Sequence, residues 1–217
     1  MKSPELTDLA VRWLRRKYPD SHITTELSLG SWGVASVDVA AICSDQIVGV
    51  EIKGDGDSPS RLKLQGAMYG RCCRTMYLLP SPELHKRCQN HKPPEWFMLS
   101  PPGLDEQEYS RHHACRETGI VLRRYTGPNG DQMPRGEGLG LAPYSLADMI
   151  WSTEVTKFKY GLGRGAGFSL PKRKSACANY VASEFSVTAI EKGVCEVLRQ
   201  RNWMGGKRVS YPVEQAA

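Results

Sequence analysis

Leu6, Leu9, Ala10, Trp13 and Leu14 recur at helical spacing, so the chain opens with one apolar helical stripe. Ser3-Pro4 has the form of an N-cap followed by proline at the first helical position, and Pro19 stops the helix. Three runs rich in Val, Ile, Thr and Ala follow, as strands require: 22–29, 36–43 and 46–53. The segments 30–33 and 54–59 are Gly-rich loops, the second expected to be flexible. A helix over 60–72 and a short apolar strand over 75–79 come next. Helix, three strands, helix, strand predicts an α/β sandwich with a mixed sheet. Beyond Pro80 the pattern weakens. It predicts a helix over 82–89 and strands over 96–99 and 119–125. Five glycines and three prolines in 127–143 predict a linker. Helical periodicity returns over 145–160, 175–185 and 188–201, the last with Thr188 and Glu191 as a capping box. The expected division is a core over 1–126, a linker over 127–144 and a helical region over 145–217.

At 217 residues, 40% hydrophobic and 24% charged, the composition is that of a globular chain able to bury a core. No apolar run approaches the roughly 20 residues that span a bilayer, and the amphipathic start has no signal-peptide block. Seven scattered cysteines fit free thiols in a reducing compartment, so an intracellular, cytoplasmic protein is expected, neither secreted nor membrane-bound. The net charge of +6 is uneven: residues 151–217 hold 11 Lys+Arg against 5 Asp+Glu, whereas residues 1–150 hold 18 of each. A basic C-terminal third on a neutral remainder points to a polyanionic partner, most simply nucleic acid.

The two central strands carry the candidate chemistry. A two-residue turn at Ser44-Asp45 pairs position i with position 89 − i, which sets Asp38 directly opposite Glu51, with Cβ atoms roughly 5 Å apart. Lys53 lies two residues beyond Glu51 and shares its face. Two carboxylates and an ammonium then meet at one end of a sheet. Paired acids suit Mg²⁺ or Mn²⁺, hard cations that prefer oxygen ligands.

Asp38 on one hydrophobic strand, then Glu51-Ile52-Lys53 on the next, resembles the PD-(D/E)xK nuclease superfamily over residues 4–80. It is similar to the MmcB-like DNA repair proteins and the sce7726 family. Val37 stands where the motif's proline would be. The resemblance implies a restriction-endonuclease-like αβββαβ core with a central mixed sheet, here with a mainly helical basic C-terminal extension. It implies one or two metal ions on Asp38, Glu51, the Ile52 carbonyl and an acid of the first helix, Glu5; Glu26 on the first strand is a competing acid. Lys53 would orient the attacking water or stabilise the transition state. Gln65 and Tyr69 match the Gln-x-x-x-Tyr motif of RecB-like and lambda-exonuclease-like branches, and as i and i+4 they share a helical face. Ile150-Trp151 and Glu154 are similar to the Leu-Trp-x-x-Glu segment of sce7726-like proteins. The implied activity is Mg²⁺- or Mn²⁺-dependent hydrolysis of DNA phosphodiesters in repair, recombination or phage DNA processing, leaving a 5′-phosphate. The motif admits RNA as well. Arg61, Lys63 and Arg71, with Lys172, Arg173 and Lys174, are the expected phosphate contacts, and a homo-oligomer or protein partner is compatible with the chain.

Other readings compete. His85, Cys88, His91, His112, His113 and Cys115 fall within 31 residues and offer ligands for zinc, though the spacing fits no familiar finger. Residues 161–167 alternate glycine with other residues but lack the Gly-Lys-Ser/Thr of a phosphate-binding loop. The last two helices could form a helix-turn-helix, with Ile190, Val194, Val197 and Leu198 packed inward. Its Arg199, Arg201, Lys207 and Arg208 lie late and Glu191 early, which argues against base readout. The non-enzymatic alternative is a nuclease-like fold kept for DNA binding or assembly.

Overall fold

The computed structural model describes residues 1–30, 35–100, 140–151, 153–155, 173–201, 203 and 210–211. In chain order these form α1 (Ser3–Lys17), β1 (His22–Ser28), β2 (Ser36–Ile42), β3 (Ile47–Lys53), a 3₁₀ turn (Pro59–Arg61), α2 (Leu62–Tyr69), β4 (Thr75–Pro80), α3 (His85–His91) and β5 (Phe97–Met98). After residue 140 come α4 (Pro143–Ala147), α5 (Lys174–Glu184), α6 (Val187–Arg199) and β6 (Ser210–Tyr211). The molecule is mixed α/β with a mixed sheet in the order β5-β4-β3-β2-β1-β6. β1, β2 and β3 run antiparallel, and β6 is antiparallel to β1. β4 and β5 run parallel to β3 because α2 and α3 carry the chain back across the sheet.

β3 is central and every residue in it is buried, which explains its near-continuous Val/Ile character. A Cβ at Gly49 would run into Met76 Sδ and press on Val37 Cγ1, so the Met76 and Val37 side chains fill the space that glycine leaves on β3. One face of the sheet is covered by α1, where Leu6, Ala10, Val11 and Leu14 meet Ile23, Val39, Ala41, Val48 and Val50. Leu6 and Leu14 are fully buried, each worth about 2 kcal/mol in area terms. On the other face α2, α4, α5 and α6 pack together over Leu27, Ala40, Ile42 and Ile47. The inward positions expected for the last helix, Ile190, Val194, Val197 and Leu198, are all buried there.

Several local expectations are corrected. The C-terminal helices share one core with the strands, and residues 127–139 of the expected linker lie outside those described. Over 145–160 the described residues form the short α4, beginning at Pro143, then a turn and a helical piece at 153–155, while residues 152 and 156–160 lie outside those described. Ser3 is already inside α1, whose N-cap is Lys2. The cap of α6 is Ser186, whose hydroxyl accepts from the Ala189 N–H at 3.3 Å, and not a Thr188–Glu191 box. Glu191 is instead buried in an ion pair with Arg74, at the residue before β4. The strand expected over 119–125 and the stretch 161–167 lie outside the described residues. Among the described residues no helix is long and apolar enough to cross a membrane. Cys43, Cys72, Cys73, Cys88, Cys177 and Cys195 are free thiols.

Candidate active site

The β2–β3 hairpin closes at Ser44-Asp45 through a Cys43 N–H to Gln46 carbonyl bond of 2.9 Å. Its ladder pairs Ile42 with Ile47, Ala41 with Val48, Ala40 with Gly49 and Val39 with Val50, the expected register. One step further the ladder gives way to a side chain: Asp38 Oδ2 accepts from the Ile52 N–H at 2.7 Å. On the other side of β2 the pairing with β1 skips Glu26 and Asp38, and Glu26 has a left-handed φ of 51°. A non-glycine residue there costs about 1–2 kcal/mol. Glu26 is exposed, so β1 does not bring this competing acid into the site.

Glu51 and Lys53 point to the sheet face that carries α2, because side chains alternate along β3. Both are buried, Glu51 with 2% of its surface exposed. Lys53 Nζ meets Glu51 Oε1 at 2.6 Å. Gln65 Nε2 donates to the same oxygen at 2.6 Å and lies 3.2 Å from the Tyr69 hydroxyl. Gln65 Oε1 accepts from Lys53 at 3.4 Å, and Tyr69 donates to the Ser36 carbonyl at 2.8 Å. One helical face thus ties the start of β2 to the end of β3, as the i, i+4 spacing of Gln65 and Tyr69 predicts.

The electrostatics are unbalanced. Glu51 Oε1 carries two donors, while Glu51 Oε2 is buried with no hydrogen-bond partner. Burial, and then the charge of Glu51, push the Asp38 carboxyl up to about 7; the Ile52 N–H and Lys53 pull the other way. The Tyr69 phenol is raised far above its usual range by burial and then by Glu51 and Asp38, so it stays a donor. Two carboxylates face a single ammonium, and an orphaned buried carboxylate oxygen is costly unless a proton or a cation meets it. The donor set of two carboxylates suits a hard divalent ion.

Glu5 does not join this group. It is exposed, and its Oε2 accepts from the Lys2 N–H at 2.9 Å at the helix start, where a carboxylate also complements the helix dipole. The loop after Lys53 is bonded rather than loose: the Gly54 N–H donates to Asp57 Oδ2 at 2.7 Å, and Asp55 pairs with the Met1 amine. A Cβ at Gly54 would clash with Ser3, so the start of α1 sits against the end of β3.

Arg61, Lys63 and Arg71 are exposed around α2, and Arg173 is exposed at the start of α5. Lys174 is spent on Asp148, at 3.4 Å from Oδ1, and Lys172 lies outside the described residues. Of the histidine–cysteine group, His85 and Cys88 are buried in α3 while His91 is exposed, with Nδ1 2.8 Å from the Arg87 carbonyl; His112, His113 and Cys115 lie outside the described residues. Among the described residues no three His, Cys, Asp or Glu side chains converge into a ligand set.

Two supporting residues escaped the sequence reading. Trp96 stacks on Tyr69, with ring centroids 5.7 Å apart and an interplanar angle of 8°. Lys92 Nζ bonds the Pro93 and Trp96 carbonyls and so holds the segment that carries this ring. A lone tryptophan between two short elements offers no periodic signal; only the structure pairs it with Tyr69. No protein-family model, curated protein or solved structure matches the chain.

Proposed function

We propose that the chain is a divalent-metal-dependent DNA nuclease built on a restriction-endonuclease-like αβββαβ core. The observation that carries this reading is the bare, buried Glu51 Oε2 beside an Asp38 carboxyl pushed up to about 7, in the company of a single lysine. Asp38, Glu51 and the Ile52 carbonyl would hold Mg²⁺ or Mn²⁺, and Glu5 could join them only by releasing the Lys2 N–H. When bound, the ion supplies an acidified water and offsets charge on the phosphate.

Lys53 is held within the site by Glu51 and Gln65, where its ammonium can orient water or stabilise the transition state. Gln65 fixes the Glu51 carboxylate, and neutral Tyr69 anchors Gln65 to β2. DNA phosphates would meet Arg61, Lys63 and Arg71. Arg61, Lys63 and Arg71 are exposed and no acid lies between Asp57 and Glu83, so this stretch is positive in sequence; its fourth cation, Arg74, is taken up by Glu191. Repair, recombination or phage DNA processing are the settings this activity suits.

A second reading has its own support. Lys53 already neutralises Glu51, and among the described residues no third acid completes the group, as in a nuclease fold retained for DNA binding or assembly. Incubating labelled linear, circular, branched and single-stranded DNA with Mg²⁺ or Mn²⁺, for wild type and Lys53→Ala, separates the two. The nuclease reading expects metal-dependent cutting that the variant loses. Retained DNA binding without cutting in any arm selects the silent fold.

A further inference from the structure

Four flat groups are stacked into a column on the helical side of β1. His22, buried at the start of β1, stacks on Trp203 with centroids 5.8 Å apart and planes 22° from parallel. The Arg201 guanidinium carbon lies 5.0 Å from the Trp203 ring centroid and 5.0 Å from that of Trp151. Arg201 is fixed by two bonds to Glu154, at 2.8 and 2.6 Å, and one to the Met149 carbonyl at 3.1 Å. The Trp203 indole N–H donates to the Leu198 carbonyl at 3.2 Å, and Glu154 Oε2 also accepts from the Trp151 N–H at 2.7 Å. The column is therefore held at every layer. Its last member, Trp151, is 57% exposed, one of two large hydrophobic side chains called exposed among the described residues.

An indole held against a guanidinium, with more than half of its surface exposed, can receive one more flat π system. The chemistry of its surroundings selects the ligand. Glu154 is occupied by Arg201 and Asp148 by Lys174, so the acids nearest the column are matched by cations. In sequence, residues 151–217 carry the whole net charge of +6, six of their eleven Lys and Arg lying outside the described residues, and Arg173 is exposed at the start of α5. A planar ring on a polyanionic backbone fits both features, whereas an apolar protein surface would fit only the first. We propose that Trp151 is a stacking site for an unpaired nucleobase, the end of a His22–Trp203–Arg201–Trp151 column that binds single-stranded nucleic acid without reading sequence. Stacking of this kind tolerates any base, because every base has a π face. This site is separate from the carboxylate group and needs no metal.

The test is fluorescence anisotropy of a labelled 15-nucleotide oligo(dT) in EDTA, where no metal-dependent cleavage occurs. Trp151→Ala is expected to weaken binding by roughly 5- to 100-fold, with Trp151→Phe restoring most of it. A blunt duplex of equal length should bind both proteins alike. Wild-type affinity in Trp151→Ala overturns the proposal, as does an equal loss for duplex and single strand. A change in sedimentation with unchanged oligonucleotide binding would assign the surface to a second copy of the chain instead. Should Trp151→Ala not fold, the emission of wild type minus Trp151→Phe decides: quenching by oligo(dT) supports the stack, and its absence overturns it. Because cleavage is not measured, failure here leaves the nuclease reading untouched, and loss of that reading leaves this one standing.

Discussion

Two buried glutamates sit at opposite ends of the sheet, and they are built differently. Glu191 on α6 is fully buried, and the Arg74 guanidinium reaches both its oxygens, one of them at 3.1 Å from Nε. Glu51 on β3 is as deeply buried, yet both its donors crowd onto one oxygen, the other has none, and Asp38 adds a second acid. The first is a closed pair: charge, geometry and hydrogen bonds are all met within the chain, as a structural pair demands. The second holds two carboxylates against one ammonium, and balances only when Asp38 keeps its proton or a cation joins the group. Burial alone therefore says little about function; the balance of donors and charge around the buried group separates a structural strut from a site awaiting a ligand.

The comparison can be broken at either end. The largest effect belongs to the open end: Lys53→Ala should lower metal-dependent cleavage by about 10²- to 10³-fold, the loss expected when one electrostatic stabiliser is removed. Unchanged turnover in a labelled-DNA assay would remove Lys53 from the chemistry. At the closed end, Arg74→Ala strands Glu191 and should cost about 3 kcal/mol in urea unfolding, the low end for such pairs because Arg74 is half-exposed. Burial already raises the Glu191 carboxyl, so this loss should shrink as the pH falls and the stranded acid takes up a proton. A variant as stable as wild type would mean that the pair is not a strut.

The third effect is a pH dependence. Asp38 titrates near 7 in the folded chain and near 4 when unfolded. Between these values the folded state keeps a proton that the unfolded state has lost, so metal-free stability should fall as pH rises from about 4 to about 7, by about 3 kcal/mol. Mg²⁺ or Mn²⁺ should remove that fall. Unfolding midpoints of wild type and Asp38→Asn across this range isolate the effect; parallel curves would refute it. A smaller change separates the two glutamates directly. Glu51→Gln removes one of two like charges and should leave the metal-free protein as stable or about 1 kcal/mol more so, while cleavage is lost. Destabilisation comparable to that of Arg74→Ala would make Glu51 a strut as well. Least of all, Tyr69→Phe forgoes the bond to Ser36 and the one from Gln65, which keeps Glu51 as a partner, and should cost about 1 kcal/mol.

The open end was largely legible in the sequence and the closed end was not. Val- and Ile-rich runs on either side of a two-residue turn admit few registers, so the hairpin that sets Asp38 beside Glu51 could be read before any coordinates. Gln65 and Tyr69 followed from helical spacing. Glu5 bonds the Lys2 N–H at its own helix start, and nothing in spacing distinguishes an acid serving the helix from a ligand. Glu191 read as a cap because Thr188 stands three residues earlier, although its neighbours Ile190 and Val194 on the apolar stripe were a sign of burial. The pairing of Arg74 with Glu191, 117 residues apart, and the column ending at Trp151 depend on how the late helices dock, which local pattern does not encode.

The helices that cover the α2 face have a consequence for how the chain is made. Asp38, Glu51, Lys53, Gln65 and Tyr69 all leave the ribosome within the first 70 residues, but most of the apolar cover for Ala40, Ile42 and Ile47 comes from α4, α5 and α6, after residue 142. β6, which flanks β1 at Ile23 and Thr24, arrives only with Ser210 and Tyr211. For much of synthesis the nascent chain holds every residue of the candidate site on a sheet with one greasy face bare. Contacts of such long separation make for slow folding and aggregation-prone intermediates, so shortened versions of this chain should precipitate even though they retain each of those site residues.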